Sequence, residues 1–184
     1  MRENRAERRW PHHFFDLALL PFLATGETGR MNDAGSTRIM PAHVGQEDAI
    51  RTLVRRAYTM YVPRMGKEPG PMVDDYAARV AEGSAYVLER DGAICGALVL
   101  LDFPGYLLLD NVAIDPDCQG LGLGRILIDF AEGEALRRGY PEIRLYTHET
   151  MIENIAMYPR LGYEESHRVT EKGYARVYMR KKIG

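Results

Sequence analysis

Apolar positions along this chain recur with two different periods, and the switch between them locates the elements. Over 46–58 they stand at Ile50, Leu53, Val54 and Ala57, the spacing of one face of a helix. A short strand over 37–40 precedes it and stops at Pro41. Pro63 and the glycine- and proline-rich stretch 66–71 then break the chain, and a second short helix is predicted over 74–81. Strands follow over 85–89 and 94–101, joined at Asp91-Gly92, a dipeptide suited to the tight turn of a hairpin. Pro104-Gly105 turns the chain again into a strand over 106–114. Up to this point the pattern is an antiparallel meander.

After Asp115-Pro116-Asp117 the period changes. Leu123, Ile126, Leu127, Phe130 and Ala131 fall at i, i+3, i+4, i+7 and i+8, an amphipathic helix whose opposite face carries Asp129, Glu132, Arg137 and Arg138. Gly139 is its C-terminal cap. A strand over 143–147 follows, so strand, helix and strand make a crossover with parallel strands. A short helix over 153–161 and two strands over 163–169 and 174–180, joined at Lys172-Gly173, complete the pattern. The fold class predicted is α/β (α+β), a mixed central sheet with helices on both faces, occupying 37–184.

Composition changes this picture little. The 184 residues are 46% hydrophobic and 27% charged, enough for one domain with a real core. A formal net charge of −2 and a pI near 6.2 give no basic footprint for nucleic acid and no case for an anionic membrane surface. Cys95 and Cys118 are too few for a disulfide framework, no metal-ligand spacing surrounds them or the five histidines, and Cys95 reads as a small core residue. A reducing cytoplasm is the expected compartment. At the start, four arginines precede an apolar run over 14–23 that is interrupted by Asp16 and Pro21. That run is half the length of a bilayer span, and 1–36 is read as an arm appended to the domain, although a basic start before a short apolar run also imitates a signal peptide.

Chemistry enters at Gln119-Gly120-Leu121-Gly122-Leu123-Gly124-Arg125, between a strand end and a helix start. Alternating glycines let several backbone amides point one way, and the helix start adds unpaired N–H groups and a positive dipole end. The combination suits a pyrophosphate. A P-loop would need Lys after its last glycine, where Arg125 stands. A dinucleotide fingerprint would need a third glycine at the position of Arg125 or Leu127. Both alternatives fail.

What the segment does match is Q/R-x-x-G-x-G/A, with Gln119, Gly122 and Gly124. It resembles the pyrophosphate loop of the GNAT superfamily of acetyl-CoA-dependent N-acetyltransferases. A second stretch, from Asn154 through Tyr158 to Gly162-Tyr163, is similar to another region of that family, and the resemblance extends over about 37–181. It implies the GNAT fold, with a bulged strand splayed from the strand over 143–147. It also implies acetyl-CoA as co-substrate, held by Val112 and Ile114 along the pantetheine arm and by Gln119, Gly120, Leu121, Gly122, Leu123, Gly124 and Arg125 at the phosphates. Asn154 would bond the pantetheine, the Val112 N–H would polarise the thioester carbonyl, and Tyr158 would protonate the departing thiolate. No metal is implied.

For a general base, side-chain alternation puts Asp110 on the strand face of Leu108 and Val112, pointing at the slot. A carboxylate inside an apolar strand needs a reason. His148, Glu149 and water are its rivals. On the acceptor side, Tyr61, Arg64 and Lys67 place an aromatic beside two cations, which suits a small molecule carrying an anionic group. The expected function is acetylation of a primary amine on a small molecule. The alternatives are a protein lysine or N-terminal amine as acceptor, or a non-catalytic acyl-CoA-binding domain. Partners expected are a small-molecule amine and neither nucleic acid nor membrane, with a homodimer left open.

Overall fold

The computed structural model describes residues 36–184, so the arm read over 1–36 lies outside the described residues except for Ser36. The chain runs β1 (Thr37–Pro41), α1 (Glu47–Tyr58), α2 (Val62–Met65), α3 (Tyr76–Ala81), β2 (Ala85–Arg90), β3 (Ala93–Phe103), β4 (Tyr106–Ile114), α4 (Leu123–Arg137), β5 (Glu142–His148), α5 (Ile152–Met157), β6 (Glu164–Glu171) and β7 (Tyr174–Lys182). Seven strands form one sheet in the order β1-β2-β3-β4-β5-β7-β6. Every neighbouring pair is antiparallel except β4 and β5, the two strands joined through α4. Among the described residues no helix is long and apolar enough to cross a membrane.

Each face of the sheet buries its own core. Leu98, Leu100, Leu107, Leu109, Val112 and Ile114 pack against Leu123, Leu127, Ile128, Ala131 and Ala135 of α4. On the other face Val87, Ala97, Val99 and Ala113 meet Ile50, Leu53, Val54, Ala57 and Tyr58 of α1 and Tyr76 and Val80 of α3. Strand β4 is buried along its whole length because helices cover it from both sides, so its sequence is nearly continuous apolar rather than alternating.

Three expectations shift. Where Pro63 was expected to break the chain, it lies in the first turn of the short helix α2, a position at which its missing N–H costs no helical bond. The buried stripe of α4 runs Leu123, Leu127, Ala131 and Ala135 with Ile128 beside it, whereas Ile126 is 41% exposed. Both an i+3 and an i+5 neighbour of Leu123 were apolar, and the sheet took the latter. The helix expected over 153–161 splits into α5 and a 3-10 turn at Tyr158–Leu161, because Pro159 has no N–H to continue an α-helical ladder. Gly139 does cap α4: its φ is +76°, and Tyr140 N–H donates back to the Ala135 carbonyl at 2.9 Å, as in a Schellman ending.

The close seating of α4 depends on Gly96 of β3. A Cβ there would lie 3.0 Å from Ile114 Cδ1, 3.1 Å from Leu127 Cδ1 and 3.3 Å from the Ala113 carbonyl oxygen. Gly96→Val is therefore expected to overpack this layer and cost about 1–3 kcal/mol, measured by urea unfolding. An unchanged unfolding midpoint would mean that α4 can shift to accommodate the side chain.

Candidate active site

Strands β4 and β5 pair only at Leu107↔Ile143 and Leu108↔Arg144, and beyond Leu108 they part. The cause lies in β4 itself. Its pairing with β3 steps from Val99↔Asn111 to Leu100↔Leu109, leaving Asp110 as an extra residue, a bulge that bends the strand and interrupts its ladder. The extra residue also resets which side chains share a face. Leu107 and Leu109 pack toward α4, and after the bulge so do Val112 and Ile114, while Asp110 and Asn111 both reach toward α1 and α3. This corrects the alternation argument: Asp110 faces with Leu108, and Val112 lies on the opposite face.

Asp110 and Asn111 enter a buried polar cluster. Tyr146 of β5 donates to Asp110 Oδ1 at 2.8 Å, and Arg79 Nη2 stands 4.0 Å from Oδ2. Asp110 is fully buried, and Oδ2 has no hydrogen-bond partner among the described residues. Burial pushes its carboxyl up to about 7, against the opposing pull of Tyr146 and Arg79. Desolvation outweighs the nearby cation. Beside it, Tyr58 donates to Asn111 Oδ1 at 2.8 Å and Asn111 Nδ2 donates to Tyr76 at 3.1 Å, which ties the bulge to α1 and α3.

At its far end β4 runs into the glycine segment. Asp115 accepts from the Asp117 N–H at 2.9 Å, and Arg56 of α1 forks onto Asp115 and Asp117, each at 2.8 Å. Gly120 and Gly122 adopt left-handed backbone, φ +79° and +74°, which glycine enters without a Cβ penalty; Gly124 is helical. Arg125 and Ile126 N–H groups donate to the Gly122 carbonyl at 3.1 and 3.3 Å, so the amides of Leu123 and Gly124 have no intrahelical acceptor. Gly120 and Leu121 are exposed and Gln119 is half-buried. Arg125 is engaged with Asp129 at 2.7 Å on the exposed face, a pair worth little to stability. The turn before the loop is fixed in one way that the sequence reading missed: Cys118 forms a disulfide with Cys95. Cys95 is still a core residue, as expected, but not an unpartnered one.

Tyr158 is fully buried, its ring edge-on to Tyr163 with centroids 5.5 Å apart. Its hydroxyl has no hydrogen-bond partner among the described residues. Burial raises its pKa well above the usual value, with Tyr163 and Tyr61 adding to the effect, so the phenol keeps its proton. Asn154 is buried one turn earlier, its Nδ2 3.7 Å from Met151 Sδ. On the acceptor side, Tyr61 lies in the core. Arg64 forks onto Glu153 of α5 at 2.8 and 2.9 Å, and Lys67 donates to the Gly173 carbonyl at 2.6 Å while sitting over the Tyr174 ring. Both cations are thus engaged within the protein, Arg64 on an exposed side chain and Lys67 on a half-buried one. His148 is held by Thr150 at 2.9 Å and near the Ala175 N–H of β7 at 3.3 Å, and Glu149 is exposed.

Sequence reasoning missed Arg79, Asn111 and Tyr146. A signal existed at one of them: Asp110-Asn111 are consecutive polar residues in an apolar strand, which simple alternation cannot place on one face. Arg79 carried no such mark, because an arginine in a short helix ordinarily faces water. No group of His, Cys, Asp and Glu among the described residues could hold a metal ion.

The acetyltransferase (GNAT) family model matches residues 48–163. A mycothiol acetyltransferase of Thermomonospora curvata is 33% identical over 99 residues, which is 50% of this chain and 33% of that protein. The [ribosomal protein bS18]-alanine N-acetyltransferase of Escherichia coli is 38% identical over 58 residues, 32% of this chain and 39% of that protein. The matches to mycothiol acetyltransferases span only 17–37% of those proteins' lengths. Among solved structures, the ribosomal-protein-S18-alanine N-acetyltransferase from Escherichia coli superposes with a TM-score of 0.65 at 20% identity, covering 81% of this chain and 95% of that one. An acetyltransferase from Salmonella typhimurium, solved with acetyl-CoA, gives 0.63 at 19% identity over 81% and 95%. These likenesses establish the fold.

The titration of Asp110 has a measurable consequence. An unfolded aspartate titrates near 3.8, whereas this one holds its proton to about 7. Between those values the folded state binds the extra proton, so the stability this group confers is lost as pH rises through the window. Asp110→Asn should therefore gain melting temperature relative to wild type on going from pH 5 to pH 8. A difference that stays flat across that range would mean an ordinary carboxylate.

Proposed function

Because the chain belongs to the acetyltransferase (GNAT) family, we propose that it moves the acetyl group of acetyl-CoA onto a primary amine of a small molecule, by direct attack within a ternary complex. One observation carries this reading. The opening between β4 and β5 begins at a bulge that holds a buried carboxylate, and a buried phenol with an unoccupied hydroxyl stands on the segment after β5. The glycine segment fits a pyrophosphate: Gly120 and Gly122 take left-handed backbone, and a Cβ on either would meet nothing within 4 Å, so the loop's outer side is open to a ligand.

Acetyl-CoA, when bound, supplies the acetyl thioester. Gln119, Gly120, Leu121, Gly122, Leu123, Gly124 and Arg125 line the phosphates, with the start of α4 facing their charge. Val112 and Ile114 offer backbone to the pantetheine arm, and Asn154 a side-chain amide. Asp110 takes a proton from the incoming ammonium, for which a carboxylate that titrates near 7 is well matched. The Val112 N–H would donate to the carbonyl oxygen; as the nitrogen bonds the acetyl carbon and the carbon–sulfur bond breaks, Tyr158, neutral at any physiological pH, would give its proton to the sulfur and regain one from the nitrogen.

Two features favour a small acceptor. The Arg64–Glu153 tie holds α2 against α5, and the Lys67–Gly173 tie holds the loop after α2 against the β6–β7 turn, at the acceptor side. The match to a relative named for mycothiol also covers half of the chain, against 32% for one named for a ribosomal protein.

Acetyl-CoA should raise the wild-type melting temperature, since a ligand that binds only the folded state stabilises it. Gly122→Asp puts a carboxylate at the phosphates, and equal shifts in the two proteins would refute the cradle. A thiol-release assay over small amines and over peptides then decides the acceptor: release with peptides alone would replace the small molecule by a protein, and binding without release from any amine would leave an acyl-CoA-binding domain. With an acceptor in hand, Tyr158→Phe keeps the packing and loses the proton donor. We expect kcat to fall at least about tenfold with cofactor affinity nearly unchanged. A kcat within about twofold of wild type, where chemistry limits the rate, would remove Tyr158 from the mechanism.

A further inference from the structure

The polar cluster around Asp110 is arranged so that a cation is near the carboxylate without bonding to it. Arg79 is buried and donates through Nε to Asp74 Oδ2 at 2.9 Å. Its Nη1 faces Glu82 at 3.7 Å and its Nη2 reaches within 4.0 Å of Asp110 Oδ2. That last spacing is too long for a hydrogen bond, yet close enough for a substantial charge interaction where water is excluded. Asp74, itself buried, holds the guanidinium by its other edge. Were Arg79 released from Asp74, it could donate to Oδ2 directly, which would cap the proton-accepting oxygen and hold the carboxylate ionised. Were its charge removed, nothing on the α3 side would offset burial.

The remaining groups around Asp110 come from β5, β7 and the start of α3, where the buried Tyr76 hydroxyl lies near enough for the carboxylate to help hold its proton and accepts from Asn111 at 3.1 Å. Tyr146 occupies Oδ1 at 2.8 Å. Arg176 stacks 4.2 Å over the Tyr146 ring and pairs with Glu171 at 3.5 Å, so its charge acts on Asp110 from farther away. From α1, Tyr58 bonds Asn111 and not Asp110. Arg79 and Tyr146 thus divide the carboxylate between them: one oxygen is fixed by a hydrogen bond and the other is left open beside a tethered charge.

We propose that Arg79 is a positioning residue for Asp110, held off by Asp74 so that Oδ2 stays available to accept a proton while Tyr146 fixes Oδ1. The proposal rests on Asp110 as the general base, and it makes a claim about titration that can be read without any acceptor. The carboxyl carbon of Asp110 in the full chain, labelled with carbon-13, reports its midpoint directly. Wild type should titrate near 7. Arg79→Gln should raise the midpoint by about one pH unit or more, and Arg79→Lys should restore part of the difference. Tyr146→Phe, which removes a bond to the charged form, should also raise it. Asp74→Asn should lower it, because a negative neighbour disappears and Arg79 is freed to approach.

Opposite displacements from Asp74 and Tyr146 are not a signature of damaged packing. If Arg79→Gln does not fold, the other two variants still decide: displacement in the same direction overturns the proposal. So does a midpoint that moves by less than about 0.3 pH unit in both Arg79→Gln and Tyr146→Phe, well below the effect of a neighbouring charge. The acidic limb of kcat/KM, measured with an amine found by the panel above, should track the carbon-13 midpoint in each variant. Midpoints that move as expected while the kinetic limb stays fixed would uphold the tuning of Asp110 and remove its role as base.

Discussion

One extra residue in β4 underlies most of what is distinctive here. Without the bulge at Asp110, β4 and β5 would continue as a regular parallel pair, their amides and carbonyls satisfying one another to the strand ends. With it, the ladder ends after two pairs, and backbone that would otherwise be bonded internally borders an opening. The same insertion turns two adjacent polar side chains toward one face and returns Val112 and Ile114 to the core under α4. Opening, buried carboxylate and intact core all follow from a single local irregularity.

An irregularity of this kind needs support, and the helices supply it. Tyr58 and Tyr76 hold Asn111, Arg79 and Tyr146 flank Asp110, and Gly96 lets α4 press down on the strand beyond the bulge. The arrangement stabilises the position of Asp110 but not its charge. Burial raises the carboxyl toward neutrality, so the group proposed as the base is also one that works against the fold above neutral pH. Enzymes commonly trade stability for function in this way.

Much of this was legible in the sequence. The meander, the crossover through α4 and the glycine segment could be read from period and spacing, and the order of the strands and of the other helices stands as read, with α2 added where Pro63 was expected to break the chain. The implied splay at β4 is present too. What could not be read were facts that depend on contacts between distant segments. A period of two cannot reveal that Asp110 breaks it, the choice between Ile126 and Ile128 is made by the sheet beneath, and Arg79 is buried only because Asp74 and Asp110 receive it. Arg64 and Lys67 looked like free cations because their partners, Glu153 and Gly173, lie about ninety and a hundred residues away. The disulfide between Cys95 and Cys118 likewise depends on β3 and the post-β4 turn being neighbours.

Helix α1 has a place in both halves of the site. At Arg56 it grips Asp115 and Asp117, just ahead of the glycine segment, and within the next turn, at Tyr58, it grips Asn111 beside the bulge. Two residues of one helix therefore anchor the turn ahead of the glycine segment and the polar residue next to the bulge. Any ligand that shifts this helix from one end performs work at the other, and the coupling is reciprocal by thermodynamic necessity. The turn ahead of the glycine segment and the bulge in β4 are thus joined through a single helical turn.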